Sequence, residues 1–197
     1  MKLDLFKNFG DKRSRILEAS GVLIAGQGFH GLSMAKLARL SGVATGTLYL
    51  YFDDKEDLIQ QYYDEIHQAV AKQILDGFDD RMALSQQYRY LWLKIRDFLL
   101  HNPDHFSSKV QYEHSPYFNP QQQRLRMEQL FSPILQMLQQ GVDTGVFKPL
   151  PIPLLMTLSL DLVPLLVQKH FRGYLLLDEA ASEAAIEASW DALSLKH

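Results

Sequence analysis

Residues 32–58 read LSMAKLARLSGVATGTLYLYFDDKEDL, and the fold follows from this stretch. Ser33 is a good N-cap, and the apolar and small residues Ala35, Leu37, Ala38 and Leu40 carry a short helix to about Ser41. Gly42 supplies a residue free to take positive φ at the turn, and Val43 plugs the angle between this helix and the next. A second short segment covers Thr45 to Tyr51, with Leu48 and Phe52 as its inward anchors. At about two turns it is marginal alone, so its neighbours must hold it. Asp53 and Asp54 then cap a longer helix in which Leu58, Ile59, Tyr62, Ile66, Ala69 and Val70 recur at helical spacing.

The residues left facing outward have their own chemistry. Thr45 and Thr47 offer hydroxyls, Gly46 permits close backbone approach, and Tyr49 and Tyr51 carry phenolic donors on flat apolar bodies. Lys55 opens the next helix, and Ser33 and Lys36 open the first. Two helices joined by a tight turn, the second held proud of its support, form the shape that enters a DNA major groove. The candidate DNA contacts are therefore Ser33, Lys36, Thr45, Gly46, Thr47, Tyr49, Tyr51 and Lys55. Any two-helix corner containing a glycine shares part of this pattern, and tyrosines at this spacing also serve as packing.

Outward from the corner, nearly every segment keeps the helical period. Upstream, Ile16, Leu17, Ser20, Leu23 and Ile24 share one face, and Gly28 supplies a stop. Gly21 and Gly26 weaken that helix by roughly 1 kcal/mol each against alanine. Downstream, Leu84, Tyr88, Leu91, Trp92, Ile95, Phe98 and Leu99 mark an amphipathic helix closed by Asn102-Pro103, followed by a shorter one to about His114. Ser115-Pro116 and Asn119-Pro120 bracket a loop. Leu125 to Val142 trace another helix that Pro133 kinks or breaks. Gly145 to Pro153 is a turn-rich connection, and helices over about 152–172 and 178–194 close the chain. No sustained strand alternation, repeat or low-complexity tract interrupts this. The expected class is all-α: a small N-terminal unit over 10–70 and a larger helical bundle over 71–197.

Composition narrows the function. The 197 residues contain no cysteine, which excludes disulfides, thiolate metal sites and cysteine nucleophiles. The net charge of −3 is uneven: residues 1–52 hold seven Lys/Arg against three Asp/Glu, and the rest 13 against 20. A basic end on an acidic body suits local docking on phosphates and not general coating of nucleic acid. The residues at Met1 to Gly10 show no apolar signal core. The longest nearly apolar run, Leu154 to Val167, is broken by Thr157, Ser159, Asp161 and Pro164, short of the about 20 residues a membrane span needs. The expectation is a cytoplasmic protein without a membrane partner.

The string Gly46-Thr47-Leu48-Tyr49-Leu50-Tyr51-Phe52, then Lys55-Glu56-Asp57-Leu58, resembles the signature of the TetR/AcrR family of bacterial regulators. Members tend to read Gly-Thr-Leu-Tyr-Tyr-His-Phe, two spacers, then Lys-Glu-x-Leu. Ile16-Leu17, Ala19, Leu23, Gly28-Phe29 and Ser33 also match at the family spacing, so the resemblance covers about residues 10–70. It implies a helix-turn-helix that binds operator DNA as a homodimer, with a ligand-binding and dimerising bundle behind it, most often a repressor. Leu50 departs from the usual Tyr, Tyr51 from a frequent His, Ile24 from a common Phe, and Ala44 from a capping Ser, leaving Thr45 to carry the cap. Asp53 and Asp54 put acid near the expected DNA face. The second helix holds no arginine for a bidentate guanine contact, which leaves base readout to Thr45, Thr47 and Tyr49, to thymine methyls, or to DNA shape.

For the bundle, the resemblance implies a small-molecule effector and dimerisation through the last two helices. Leu154, Leu158, Leu162, Leu165 and Leu166, with Ala181, Ala184, Ala185, Ala188 and Ala192, fit close helix approach across a two-fold axis as well as an ordinary core. Candidate pocket residues are Trp92, Phe98, Phe106, Tyr112, Tyr117, Phe118, Met127, Met137 and Asp161. Such side chains at helical spacing also build plain core. Asp161 stands out as a charge inside an apolar run. His101 and His105 stand four apart but Pro103 lies between them, and no four-ligand pattern exists. No cofactor or metal is expected. Two rivals are a helix-turn-helix protein that needs no effector and an all-α enzyme, the latter lacking any phosphate loop, nucleophile elbow or HExxH motif.

Overall fold

A computed structural model describes residues 11–195, except for the side chains of residues 104–108. Eleven helices follow in order among the described residues: α1 Lys12–Gly31, α2 Met34–Ser41, α3 Thr45–Leu48, α4 Lys55–Leu75, α5 Leu84–His101, α6 Pro103–Glu113, α7 Pro120–Leu130, α8 Ser132–Asp143, α9 Ile152–Thr157, α10 Leu162–Phe171 and α11 Glu179–Leu193. No strand occurs among them; the single β-bridge pairs Phe147 with Ser194. The all-α class stands.

Two compact units result: residues 11–70 with 104–123, and residues 71–103 with 124–195. The sequence suggested one boundary after residue 70, and α4 does pass from one unit to the other there. The return of 104–123 to the N-terminal unit has an aromatic cause. Tyr112 stacks on Tyr63 of α4 at 3.9 Å, Phe118 meets Tyr112 edge-on at 5.5 Å, and Tyr117 lies 5.6 Å from Phe29 of α1. Large rings give much contact per residue, and they are too far apart in the chain for a periodicity argument to pair them.

The N-terminal unit is otherwise built on Ile16, Leu17, Leu23, Leu37, Leu48, Phe52, Leu58 and Ile59, all buried. Arg13 of α1 reaches Glu65 at 2.7 Å and Gln61 at 2.9 Å on α4. Gly28 leaves helical geometry at φ 65, as the sequence suggested, but α1 resumes to Gly31.

The second unit centres on α5, which packs with α8, α10 and α11. Its core includes Tyr88, Leu91, Trp92, Leu138, Phe147, Val163 and Leu193. Phe147 sits in the turn after α8, its ring 5.1 Å from that of Trp190. Backbone bonds from Lys148 to Leu193 and from Leu195 to Val146 fasten that turn to the end of α11. Of the kink or break expected at Pro133, the structure has the break: α7 stops at Leu130 and Pro133 occupies the first turn of α8, where its missing N–H costs nothing. The helix expected over 152–172 is two helices separated by residues 158–161. The ring of Pro164 clashes with a helical carbonyl four residues back, at Leu160, so a straight helix cannot pass.

Candidate nucleic-acid interface

The α2–α3 corner is assembled from local bonds. Ser33 Oγ accepts from the Lys36 backbone N–H at 3.3 Å, which starts α2. Gly42 ends it in the left-handed region, at φ 67 and ψ 33, with its N–H on the Ala38 carbonyl. The Val43 N–H also bonds Ala38, at 3.1 Å. These two bonds satisfy the helix end and reverse the chain. α3 follows with only four residues; its N-cap is Ala44, without a side-chain cap, so Thr45 is the first helical residue and not the cap. The chain past α3 stays wound by bonds from Tyr51 and Phe52 N–H to the Leu48 carbonyl, both at 3.0 Å.

What holds this short turn of helix lies beneath it. Leu48 and Phe52 are buried, with 0% and 1% exposure. Behind them, Asp54 accepts from the Asp57 N–H at 2.8 Å while Asp57 accepts from the Asp53 N–H at 3.0 Å, a reciprocal cap on α4. Asp53 and Asp54, acidic residues close to the corner, thus have a structural use. Above the anchors, Thr45, Gly46, Tyr49 and Tyr51 are exposed and Thr47 is half-buried.

The eight candidates divide. Thr45, Gly46, Tyr49 and Tyr51 present side chains or bare backbone to solvent on one short segment. Thr47 is half-buried, and the polar ends of Ser33, Lys36 and Lys55 are engaged within the unit. Ser33 caps α2. The Lys36 ammonium bonds Gln27 Oε1 at 2.9 Å and the Gly31 carbonyl at 3.2 Å, though the side chain is exposed. Lys55 is half-buried; its ammonium bonds the Phe29 carbonyl at 2.7 Å and lies 5.6 Å from the centre of the Tyr117 ring. Two residues outside the sequence list share the corner. Leu50 is 81% exposed beside Tyr49. Arg39 lines, with Lys36, Gln27 and Leu40, a shallow hollow of about 380 Å³. Arg39 was findable as a basic residue on the outer face of α2; Leu50 was not, since an apolar residue at a helix end reads as core.

A model of bacterial regulatory proteins of the tetR family matches residues 16–62, and a tetracyclin repressor-like C-terminal domain matches residues 83–194. The chain belongs to the TetR family. A TetR-family transcriptional regulator from Vibrio parahaemolyticus has the same fold with a TM-score of 0.83, at 41% identity over 95% of this chain and 100% of that one. A TetR-family regulator from Haemophilus influenzae superposes with a TM-score of 0.75, at 30% identity, over 94% and 97% of the two chains. Among curated proteins, an HTH-type transcriptional regulator of H. influenzae is 37% identical over 108 residues, 55% of this chain and 58% of its own length. A fatty acid metabolism regulator of Bacillus subtilis is 41% identical over 54 residues, 28% of its length. These two matches thus span less than two thirds of the relatives concerned. The relatives are transcriptional regulators, not enzymes.

The candidates for a ligand pocket fall in both units. Tyr112, Tyr117 and Phe118 belong to the aromatic cluster of the N-terminal unit, where burial raises the Tyr112 hydroxyl pKa. Trp92, Phe98 and Met137 are buried in the second unit, and the Trp92 indole N–H has no hydrogen-bond partner among the described residues. Met127 is half-buried on α7, Asp161 is exposed, and the Phe106 side chain lies outside the described residues. Met137 borders an open hollow of about 800 Å³ whose walls include Phe78, Asp79, Arg81, Gln87 and Gln140. Gln87 Nε2 pins the loop before α5 by bonding the Asp80 and Met82 carbonyls at 2.9 and 2.7 Å. No group of three potential metal ligands occurs among the described residues.

Proposed function

We propose that the protein represses transcription by binding a palindromic operator as a homodimer through α2 and α3, and that a small molecule in the second unit controls this binding. The observation that carries the reading is the corner itself: exposed Thr45 and Gly46 on a helix too short to stand without Leu48 and Phe52 beneath it, and exposed Tyr49 just past its end. A surface built so rigidly under side chains that the fold does not use is a reading surface. The two-fold symmetry expected of such a dimer puts two corners about 34–36 Å apart on successive major grooves. α4 belongs to both units and is the covalent route for the effector, with a coupling of about 1–3 kcal/mol, or roughly 5–150-fold in operator affinity.

The dimer reading rests on Ile152–Phe171. Within it an 18-residue window has a mean hydropathy of 1.4, apolar enough by composition for a membrane span, yet only 28% of that window is buried. Leu154, Leu165 and Phe171 stand exposed. Apolar surface on this scale calls for a partner.

Selection of binding sites from random duplex DNA, with Tyr49→Ala as control, tests the function. A palindrome is enriched, bound at least about tenfold more weakly by Tyr49→Ala, with affinity falling steeply as salt rises. Enrichment of no sequence, or equal binding by the variant, overturns the operator reading. Thermal-shift screening of metabolites against the full chain tests the effector, since a ligand of the native state raises Tm with concentration.

A further inference from the structure

Leu50 is the most exposed large apolar side chain among the described residues, at 81%. The backbone that carries it is fixed. Its N–H bonds the Thr47 carbonyl at 3.2 Å, and the N–H groups of Tyr51 and Phe52 both bond the Leu48 carbonyl at 3.0 Å. Leu48 and Phe52, two residues to either side, are buried, and the Tyr51 ring lies tilted 6.3 Å from that of Phe52. An apolar group is thus held in water at a defined point of the corner, just past the end of α3. Members of the family tend to carry Tyr here, which brings a hydroxyl to this point; this chain brings none.

From Val43 to Phe52 the chain holds no Arg, Lys, Asn, Gln, Asp or Glu. The side-chain pairings that tell one base from another most sharply in a major groove need one of those groups. The hydroxyls of Thr45, Thr47, Tyr49 and Tyr51 both donate and accept, so they suit many base edges with little preference. Leucine is more selective. The apolar group that a base edge presents in the major groove is the methyl of thymine. Against the donors and acceptors of the other edges, leucine displaces water and replaces none of its hydrogen bonds. We infer that Leu50 sets the base preference at one position of each operator half-site by packing on the methyl group of a thymine. The inference rests on the operator reading above and names what the corner selects. Burying one methyl group is worth about fourfold in affinity, and about fifteenfold when both half-sites contribute. A neighbouring protein chain is the competing occupant for an exposed leucine. Exposed Thr45, Gly46 and Tyr49 on the same short segment favour DNA, because a duplex that engages them brings base edges to Leu50 as well.

The experiment uses full-length protein and the palindrome enriched from random duplex DNA, with each thymine replaced in turn by deoxyuridine, which lacks only the methyl group. Binding is followed by fluorescence anisotropy at fixed salt. Replacing one particular thymine weakens the native protein about fourfold, and replacing it in both half-sites about fifteenfold. Leu50→Ala binds the thymine and uracil duplexes alike, and site selection repeated with Leu50→Ala loses the preference at that position while keeping the rest of the palindrome. A 5-methylcytosine·guanine pair placed there binds the native protein more tightly than plain cytosine·guanine, because it restores the methyl group and leaves the polar edge unchanged. Circular dichroism melting of Leu50→Ala superposes on that of the native protein, as suits an exposed side chain. Enrichment of no sequence sinks the operator reading and this inference together. An enriched palindrome in which no uracil replacement weakens binding leaves the operator reading standing and overturns the role of Leu50. So does a thymine to which Leu50→Ala stays as sensitive as the native protein. A Leu50→Ala protein weakened by one common factor on every duplex assigns the side chain to the sugar backbone or to a neighbouring protein chain, and overturns the inference as well.

Discussion

The α2–α3 corner and the α9–α10 face both hold apolar side chains in water, but for different structural reasons. At the corner, Tyr49 and Leu50 project from the turn just past α3, which is fixed from below by Leu48 and Phe52 and from behind by the reciprocal Asp54–Asp57 cap. On α10 the exposed residues alternate with buried Val163 and Val167 along one continuous helix. The corner separates residues that make the fold from residues free to meet a partner. On α10 the same helix does both, and only its outer stripe waits for cover. Substitutions should therefore split cleanly by depth at the corner.

The largest expected effect tests that split. Leu48→Ala empties a fully buried site and costs about 2–5 kcal/mol, read as a fall in the urea midpoint, and operator binding goes with it. Tyr49→Ala removes an exposed ring and stays within about 0.5 kcal/mol of the native stability while losing DNA affinity. A Tyr49→Ala protein as unstable as Leu48→Ala would erase the distinction between anchor and reading surface.

Two glycines sharpen the comparison of the two units, each by a different mechanism. In the second unit, Gly141 on α8 faces the Phe147 ring, and a Cβ there would overlap ring carbons of a wholly buried side chain. Gly141→Ala is expected to cost about 1–3 kcal/mol through overpacking and to loosen the turn that Phe147 secures. At the corner, a Cβ on Gly42 would meet nothing within 4 Å, but its φ of 67 is left-handed. Gly42→Ala should cost about 1–2 kcal/mol from backbone strain alone, and Gly42→Asn less, since asparagine tolerates that region better. Equal costs for alanine and asparagine at Gly42 would mean that something other than φ sets the price there.

The corner was legible in the sequence because its determinants are local. A cap, a glycine and two anchors within twenty-odd residues dictate two helices and a turn, and the structure supplies Ser33, Gly42, Leu48 and Phe52 in those roles. The residue that defeated local reading was Lys55. As the first residue of α4 it looked available to a phosphate, but its ammonium bonds the Phe29 carbonyl, far away in the chain. The same limit explains the bundle. The sequence offered Tyr112, Tyr117 and Phe118 as pocket candidates, and nothing local showed that Tyr112 and Tyr117 would pack on α4 and α1. Pro133 announced a break and made one, whereas the interruption at 158–161 needed Pro164 to be read backwards, four residues ahead of its effect. Nothing local marks which side of an apolar helix such as α10 stays uncovered.

The smallest effect concerns a single buried hydroxyl that ties two helices of the second unit. Tyr88 on α5 donates to Ser189 Oγ on α11 at 2.7 Å, and its ring lies 5.4 Å from that of Trp190. Burial pushes its pKa up to about 12, against a smaller opposing pull from the Ser189 bond. A phenol whose folded pKa exceeds its unfolded value near 10 contributes its full stability below pH 10 and loses it as pH rises toward 12, because the unfolded chain gives up the proton first. Burial raises Tyr62 to about 12 as well, so two phenols share this alkaline loss. Tyr88→Phe should cost about 1 kcal/mol at neutral pH through the missing hydrogen bond, and should also flatten the decline between pH 10 and 12 without abolishing it. Ser189 keeps its bond to the Ala185 carbonyl at 2.6 Å, so it is not stranded by the change. Urea midpoints of native and Tyr88→Phe protein measured from pH 7 to 12 decide it: the curves should converge as pH rises, and parallel curves would show that the Tyr88 hydroxyl titrates as freely in the folded protein as in the unfolded chain.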